Sequence, residues 1–274
     1  TRRIIVDVCI TNLLFKHQNV IIEQRRLFFK TASIILDDNK IQEVINSGVY
    51  SSIVILSYKQ MKLPGFHSFS KPTLLIDLTR SKEDILREFN NTTRNEIRRS
   101  YKIDNFRVIT NDIPDDRSYA LYKKFEFSQG RVPVSQHVLA QTFFLGIELE
   151  DELISGLFIT KSPPYLRVRS IFSKRLATHD RELLKLIGFA TRRLIWEACL
   201  WGKRNDFQLL DLASVNIHNP KTENIAKFKM SFGKDLTPEF TYIYKSRFFT
   251  FFEKAITVKL VWKRIMNYLE RITL

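Results

Sequence analysis

The stretch IAKFKMSFGK, residues 225–234, encloses one lysine between aromatic and apolar neighbours and ends just before a new strand. The pattern predicts a short helix through Lys229, with Gly233 at its end. Most lysines lie at the surface and keep their charge in water. A lysine held in a pocket can instead stabilise a negative charge that develops during a reaction. These residues alone leave both interpretations of Lys229 open.

The composition is that of a folded protein with a large core. The chain has 274 residues, of which 44% are apolar and 12% aromatic, enough for one large domain or two small ones. Its two cysteines, Cys9 and Cys199, lack metal-ligand spacing and fit a reducing compartment. No apolar run in the sequence reaches the length that spans a membrane. We therefore expect a cytoplasmic protein.

The formal net charge of +15 indicates an anionic partner. RNA, a nucleotide-linked substrate, a pyrophosphate-carrying cofactor and an acidic membrane face are all partners of this kind. A basic bias that serves only solubility is the alternative interpretation.

The turn-like residues 61–72 are the best internal boundary. Before them, residues 4–60 alternate short apolar runs with polar connections, which predicts a small sheet with one helix near residues 38–48. After them we expect the main domain over residues 73–250, followed by a basic amphipathic helix over residues 251–274.

A helix is predicted over residues 81–102. Ser81 and Asp84 have the form of a capping box, in which an N-cap hydroxyl and an acid three residues later satisfy free N–H groups. One inward face recurs every four residues: Ile85, Phe89, Thr93, Ile97 and Tyr101. A second stripe consists of Arg94, Arg98 and Lys102, and we expect it to face an anion rather than only water.

The remaining elements alternate between strand and helix. Residues 118–145 indicate helical pieces around a polar loop. Strands are predicted at 152–160, 165–172, 207–213 and 239–245, and a long amphipathic helix at about 179–201. This order predicts an α/β fold.

Three short motifs stand in this framework: TRNEIRRS at 93–100, FQLLDL at 207–212 and FKMSFG at 228–233. Together with the order of elements, they resemble the FemABX-like branch of the Gcn5-related N-acetyltransferase (GNAT) superfamily. The resemblance covers roughly residues 73–246. It implies a GNAT-like mixed central sheet with flanking helices, preceded by a reduced N-terminal GNAT-like half.

The resemblance implies an N-acyltransferase that modifies an amine on an envelope-glycan, amino-sugar or peptidoglycan precursor. Lys229 would stabilise the oxyanion, and Phe228 would contact the reacting group. Asp211 would orient or deprotonate the amine, although accepting backbone hydrogen bonds at a turn is an equally good role. The chain departs from the pattern after Asp211, where Leu-Ala-Ser replaces a glycine pair.

Further candidates follow from the resemblance, in the case of Phe228 and Tyr242, and from charge and position in the case of the arginines and lysines. For substrate binding we predict Phe228, Arg94, Arg98, Arg131 and Tyr242. For donor phosphates we predict Lys174 and Arg175. The five histidines share no metal-ligand spacing, so the sequence predicts no metal site. His218 lies in a loop near the candidate site and is an alternative base.

The resemblance implies acyl-CoA, an acyl carrier protein or aminoacyl-tRNA as the donor. Residues 173–180 contain no glycine, and Asp180 would itself satisfy the N-terminus of the following helix, so a standard pyrophosphate cradle is missing. The short N-terminal region in turn disfavours the longer tRNA-using relatives. The breadth of the superfamily leaves a slight preference for acyl-CoA.

The expected partners are a nucleotide-linked or lipid-linked amino-sugar or peptidoglycan precursor, and tRNA. The basic tail could also lie on an anionic membrane at the inner face, or simply pack on the domain. A protein that binds RNA or another anion through a decayed site is the alternative from a different functional class.

Overall fold

The computed structural model describes residues 21–26, 28–216 and 220–255. The strands in chain order are β1 (Ile21–Arg26), β2 (Phe29–Ile35), β3 (Ser52–Ser57), β4 (His67–Asp77), β5 (Phe106–Asn111), β6 (Thr142–Leu149), β7 (Glu152–Ser162), β8 (Tyr165–Ser173), β9 (Leu209–Ser214) and β10 (Leu236–Lys245). The helices are α1 (Ile41–Asn46), α2 (Lys82–Glu88), α3 (Asn91–Ser100), α4 (Asp116–Ser128), α5 (Gln136–Leu139), α6 (Arg181–Arg204), α7 (Glu223–Met230) and α8 (247–255).

The described chain forms two compact units. The larger comprises Lys71–Glu239, and the smaller comprises Ile21–Ser70 with the residues from Phe240 onward. The predicted strand near residue 4 and the amphipathic tail beyond residue 255 lie outside the described residues. Among the described helices, none combines the length and the apolar character needed to cross a membrane.

The larger unit is built on a mixed sheet with the order β4-β9-β8-β7-β6-β5. Neighbouring strands are antiparallel except β8 and β9, which run parallel and place Arg167 opposite Asp211. Parallel neighbours require a crossover, which the long helix α6 supplies. The predicted α/β class and mixed sheet are confirmed.

Helix α6 covers one face of this sheet. Residues at helical spacing form its inward face: Ile187, Ala190, Leu194 and Ala198 are buried in the main core, and Leu183 is partly buried against it. In β9, Leu210 and Leu212 belong to the same core. Because side chains alternate along a strand, Asp211 between them lies on the opposite face of the sheet.

The single helix predicted over 81–102 is wrong, because the chain forms two helices. Phe89 is extended, and the side chain of Asn90 accepts a hydrogen bond from the N–H of Thr93 at 2.8 Å, which starts α3. The Arg94 guanidinium donates to the carbonyls of Arg87 (2.9 Å) and Phe89 (2.7 Å), which satisfies the end of α2. The predicted inward positions from Ile85 to Ile97 are buried on both sides of this break, but the prediction is wrong for Tyr101, which is 49% exposed.

The region 118–145 is only partly helical. Helices α4 and α5 match the prediction, but a strand begins at Thr142, and the strand β5 was not predicted. Residues 142–148 are all buried, so both faces of β6 are covered. A strand covered on both faces has no alternation of apolar and polar residues, which is the signal that predicts strands.

The smaller unit contains β1, β2, β3 and β10 in that order. Its core includes Ile34, Ile55 and Tyr242, with α1 packed on it. The Tyr242 hydroxyl accepts from the N–H of Met61 at 2.6 Å and donates to the carbonyl of Lys59 at 3.1 Å. The predicted helix near residues 38–48 is confirmed.

Two glycines face each other across β6 and β7 and leave room for aromatic rings. Gly146 pairs with Gly156, and a Cβ added at Gly156 would lie 2.6 Å from the Phe172 ring and 2.7 Å from the Phe144 ring. These rings form a second core on the sheet face away from α6, together with Tyr122 of α4. The glycine pair is therefore a packing requirement.

We expect Gly156→Ala to destabilise the protein by about 1–3 kcal/mol, because the added methyl group overpacks the aromatic core. Gly188→Ala in α6 is the matched control, since its Cβ would meet only Arg192 Nη1 at 3.8 Å. The control should gain about 0.5–1 kcal/mol from helix propensity. Chemical denaturation of both variants measures this, and equal stabilities would contradict the packing argument.

Candidate active site

A buried ionic cluster lies where β8 and β9 run parallel. Arg167 Nη1 donates to Asp211 Oδ2 and to Glu239 Oε2, the latter at 2.5 Å. Asp211 is fully buried and Glu239 is 3% exposed. Two buried carboxylates on one guanidinium are costly to desolvate unless their hydrogen bonds are well satisfied.

The second oxygen of Asp211 is also occupied. Asp211 Oδ1 accepts from Thr73 Oγ1 at 2.5 Å and from the N–H of Ala213 at 2.7 Å. Its two oxygens therefore receive hydrogen bonds from a neighbouring strand on each side and from its own turn. This arrangement fixes the carboxylate and favours an orienting role over proton abstraction.

Lys229 lies in the last turn of α7 and is only 9% exposed. Its Nζ donates to the carbonyl of Ser214, at the end of β9, at 2.9 Å. Burial lowers the pKa of Lys229 to about 8, while the negative charges of Asp211 and Glu239 oppose that shift and Arg167 adds to it. Lys229 is therefore a buried cation beside the ionic cluster, and not a surface charge.

The aromatic residues around Lys229 hold its helix in place. Phe228 and Phe232 meet edge to face with 5.2 Å between ring centres, and Phe232 packs on Phe89 at 5.1 Å. The Arg192 guanidinium lies 5.5 Å from the centre of the Phe228 ring. At Gly233, a Cβ would approach Leu74 to 3.2 Å, so the glycine permits close packing. The other residues of the FKMSFG segment thus pack closely against the core and keep Lys229 buried.

Ala213 occupies a backbone conformation that favours glycine. Its φ is +61°, in the left-handed region, and its N–H is the one that bonds to Asp211. The resemblance expects a glycine in this region of the turn. Here an alanine takes the left-handed conformation and carries its strain.

Lys229 and Asp211 come together in the larger unit, and other predicted residues lie elsewhere. Arg94 closes the end of α2, and Arg98 is exposed, with a 3.5 Å contact to Asn95. Tyr242 belongs to the core of the smaller unit. His218 lies outside the described residues.

The remaining three predicted cations differ in their surroundings. Arg131 forms a two-pronged ion pair with Glu126, at 2.7 and 2.8 Å. Lys174 pairs with Glu152, and burial lowers the pKa of Lys174. Arg175 is exposed next to it. Arg131 and Lys174 thus already hold a carboxylate each.

The sequence analysis did not single out Thr73, Arg167 or Glu239 as site residues. A signal existed for Arg167, because arginines alternate with apolar residues along 165–172. Glu239 opens a strand of otherwise aromatic and aliphatic character, which is a weak signal for a buried acid. Thr73 gives no signal, because its role depends on the pairing of β4 with β9.

The side chain of Asp180, the residue just before α6, caps the N-terminus of this helix, as predicted. Asp180 accepts hydrogen bonds from the N–H groups of Glu182 (2.9 Å) and Leu183 (3.4 Å). An anion such as a pyrophosphate needs these N–H groups free. Within the described ranges, His, Cys, Asp and Glu side chains form no group of three or more that could hold a metal ion.

No protein-family model and no curated protein matches the chain. Solved structures do match. The structure of FemX has a TM-score of 0.54 at 10% identity, over 81% of this chain and 83% of that one. The fold is similar to that of FemX. The predicted resemblance to the FemABX-like branch is thus confirmed at the level of the fold.

Two further structures support this conclusion. L-PGS from Bacillus licheniformis has a TM-score of 0.50 at 11% identity, over 83% of this chain and 81% of that one. A C-terminal domain from Agrobacterium fabrum that carries the name of a lysylphosphatidylglycerol synthetase has a TM-score of 0.52 at 12% identity, over 87% and 84%. At these identities the likeness concerns the fold, and function must be argued from the site.

The strain at Ala213 leads to a prediction for the turn. Ala213→Gly should keep or raise stability, by up to about 1 kcal/mol. A left-handed alanine costs about 1–2 kcal/mol, which glycine avoids, but glycine loses more conformational entropy on folding. Ala213→Val should lower the melting temperature, since β-branched residues fit this region poorly. Thermal melts of the two variants check this. A valine variant as stable as wild type would show that the turn is not strained.

Proposed function

We propose that the chain is an acyltransferase that joins an acyl or aminoacyl group to an amine, with Lys229 stabilising the oxyanion. The observation that carries this proposal is a buried lysine whose pKa falls to about 8, beside a fixed ionic cluster. When an amine attacks the donor carbonyl, the electrons of the C=O bond move to its oxygen. A preformed cation in a water-poor site stabilises that charge more than water does.

Direct attack by the amine needs no covalent intermediate on the protein. Cys199, the cysteine within the described residues, is fully buried in the core, and burial raises the pKa of its thiol. A buried, protonated thiol is not a nucleophile. Once the oxyanion collapses, the carbonyl reforms, the bond to the donor's leaving group breaks, and the leaving group takes up the proton that the attacking nitrogen loses.

Asp211 contributes position rather than proton transfer. Its oxygens accept from Thr73, Ala213 and Arg167, so the carboxylate is held in one orientation. Burial lowers the pKa of Lys229, and the negative charges of Asp211 and Glu239 oppose this shift. We infer that Asp211 keeps Lys229 protonated near neutral pH.

The donor is better matched by aminoacyl-tRNA than by acyl-CoA. Asp180 already uses the N-terminal N–H groups of α6, where a CoA pyrophosphate would bind. We therefore propose aminoacyl-tRNA as the donor and keep acyl-CoA, slightly preferred from the sequence, as the alternative. The net charge of +15 also suits a polyanionic donor. For the acceptor we propose a lipid-linked or nucleotide-linked amino-sugar or peptidoglycan precursor.

A binder of RNA or another anion with a decayed site is the second candidate, and the basic charge of the chain favours it. Binding alone does not require a lysine to be buried at a cost to stability. A transfer assay with aminoacyl-tRNA distinguishes the two functions, because a binder would hold tRNA without transferring its aminoacyl group.

The decisive experiment compares wild type with Lys229→Met in transfer from aminoacyl-tRNA and from acetyl-CoA to an amino-sugar acceptor. Loss of one oxyanion donor should reduce turnover about 10²–10³-fold. Thermal melts of both proteins check that the variant is folded. Equal turnover in the two proteins would remove Lys229 from the mechanism.

The dependence of turnover on pH shows whether the cation or the neutral amine of Lys229 acts. The pKa of Lys229 is lowered to about 8, so its cation is lost as pH rises through that value. Wild-type turnover should therefore fall above about pH 8. A turnover that instead rises to a plateau near pH 8 would mean that the neutral amine acts as a base, contrary to the proposal.

We further propose that the smaller unit contacts an anionic membrane surface. Phe28, Phe248 and Phe251 are 65%, 62% and 71% exposed, and the Phe28 and Phe248 rings lie 6.1 Å apart. Exposed aromatic rings beside basic residues such as Arg247 favour an interface with anionic lipid. The basic tail predicted to share this role lies outside the described residues.

Co-sedimentation with anionic liposomes tests this surface. The double variant Phe248→Ser/Phe251→Ser should bind several-fold less than wild type at low salt. Phe127→Ser is the control, because Phe127 is 60% exposed in the larger unit. If the control loses as much binding as the double variant, or neither loses any, the proposed surface is wrong.

A further inference from the structure

One partly buried arginine has no acceptor within the described parts of the chain. Five arginines there are partly buried: Arg94, Arg167, Arg169, Arg192 and Arg193. Four of them have partners. Arg94 bonds to carbonyls, Arg167 to Asp211 and Glu239, Arg192 to Glu96 and Arg193 to Glu197. For Arg169, the described residues provide neither a hydrogen bond nor an ion pair.

Arg169 lies at an irregularity of β8, two residues after Arg167. Val168 pairs with Ile159 and Ser170 with Phe158, so Arg169 is the extra residue of a bulge and faces no partner on β7. Bulges often redirect a side chain next to a functional site. The bulge thus takes Arg169 out of the regular pairing between β7 and β8.

The groups around Arg169 do not neutralise it. The titratable groups whose charges act on Arg169 are Tyr122 of α4 and Arg167. The Tyr122 oxygen accepts a hydrogen bond from the N–H of Val134 at 3.1 Å. Glu126, which lies one turn along α4, is held by Arg131 at 2.7 Å.

The neighbouring ionic cluster does not supply a negative charge either. Its two carboxylates, Asp211 and Glu239, are matched by two cations, Arg167 and Lys229. Burial lowers the pKa of Arg169, yet a guanidinium stays protonated at physiological pH. The fold therefore keeps an uncompensated positive charge on the sheet, which costs stability unless a ligand neutralises it.

We propose that Arg169 binds an oxyanion of the substrate, a phosphate or a carboxylate, beside the Arg167–Asp211–Glu239 cluster. A guanidinium presents two parallel N–H groups that fit either group in a two-pronged geometry. The identification of the anion as part of a substrate rests on the proposed function, whereas anion binding at Arg169 does not. Arg169 would then select acceptors or donors that carry a negative charge near the reacting group.

Thermal melts at constant ionic strength test this site. Wild type, Arg169→Gln and Arg98→Gln are compared in chloride, inorganic phosphate, acetate and coenzyme A. Arg98 is the matched control, because it is exposed and loses the same charge. Phosphate or acetate should raise the melting temperature of wild type and of Arg98→Gln by several degrees more than that of Arg169→Gln.

The four solutions distinguish the source of the oxyanion. A larger rise in phosphate than in acetate identifies a phosphate ligand, and the reverse identifies a carboxylate. A rise in coenzyme A that exceeds the rise in phosphate and depends on Arg169 assigns the anion to the donor. In chloride, Arg169→Gln should melt at or above the wild-type temperature, because it removes a partly buried charge that has no ion pair among the described residues.

Two results would overturn the proposal. One is an equal anion-dependent rise in Arg169→Gln and wild type. The other is an Arg169→Gln variant that melts several degrees below wild type in chloride and in phosphate alike, because the guanidinium would then serve the fold. The melts need no turnover, so an inactive protein with an Arg169-dependent rise would contradict the acyltransferase proposal and leave this one standing.

Discussion

The Asp211 carboxylate accepts from Thr73 on β4, from Arg167 on β8 and from the backbone of β9, and Arg167 extends the network to Glu239 on β10. This network depends on the parallel pairing of β8 with β9, which sets Arg167 opposite Asp211. Removing one member would leave the opposite charge buried without a partner, which typically costs about 3–5 kcal/mol. The ionic cluster therefore constrains both the register of the central strands and the surroundings of Lys229.

The sequence predicts those parts of the fold that have a local signal. The inward face of α6 repeats with helical spacing, and Asp180 closes its N-terminus as its position indicates. The break at Asn90 was missed because the apolar face continues across it, so periodicity cannot show the change of direction. Strand β6 was missed because both of its faces are covered, which removes the alternation that predicts a strand.

The candidate site could be predicted only in part. Lys229 and Asp211 belong to short motifs that a resemblance can identify. Arg167 and Glu239 are 72 residues apart in sequence and meet only through strand pairing. Long-range pairing leaves no local pattern in a single sequence, so residues such as Thr73 become visible only when the sheet is known. This explains why the predicted cations Arg94 and Arg131 turned out to have local partners, while Arg167 was overlooked.

Arg167 and Arg169 lie two residues apart on one strand and carry the same charge, yet their surroundings give them different roles. Arg167 is saturated by two carboxylates and holds the site together, so it has little capacity left for a ligand. Arg169 is the extra residue of the bulge, forms no ion pair within the described parts of the chain and keeps its binding capacity. Lys229 lies between these two cases. Burial lowers its pKa and favours the neutral amine, while the carboxylates of the cluster favour the cation. A stable fold does not need a buried cation without a counterion, whereas recognition of an anionic substrate does. The part of this sheet that costs stability is thus the part best suited to bind what the protein acts on.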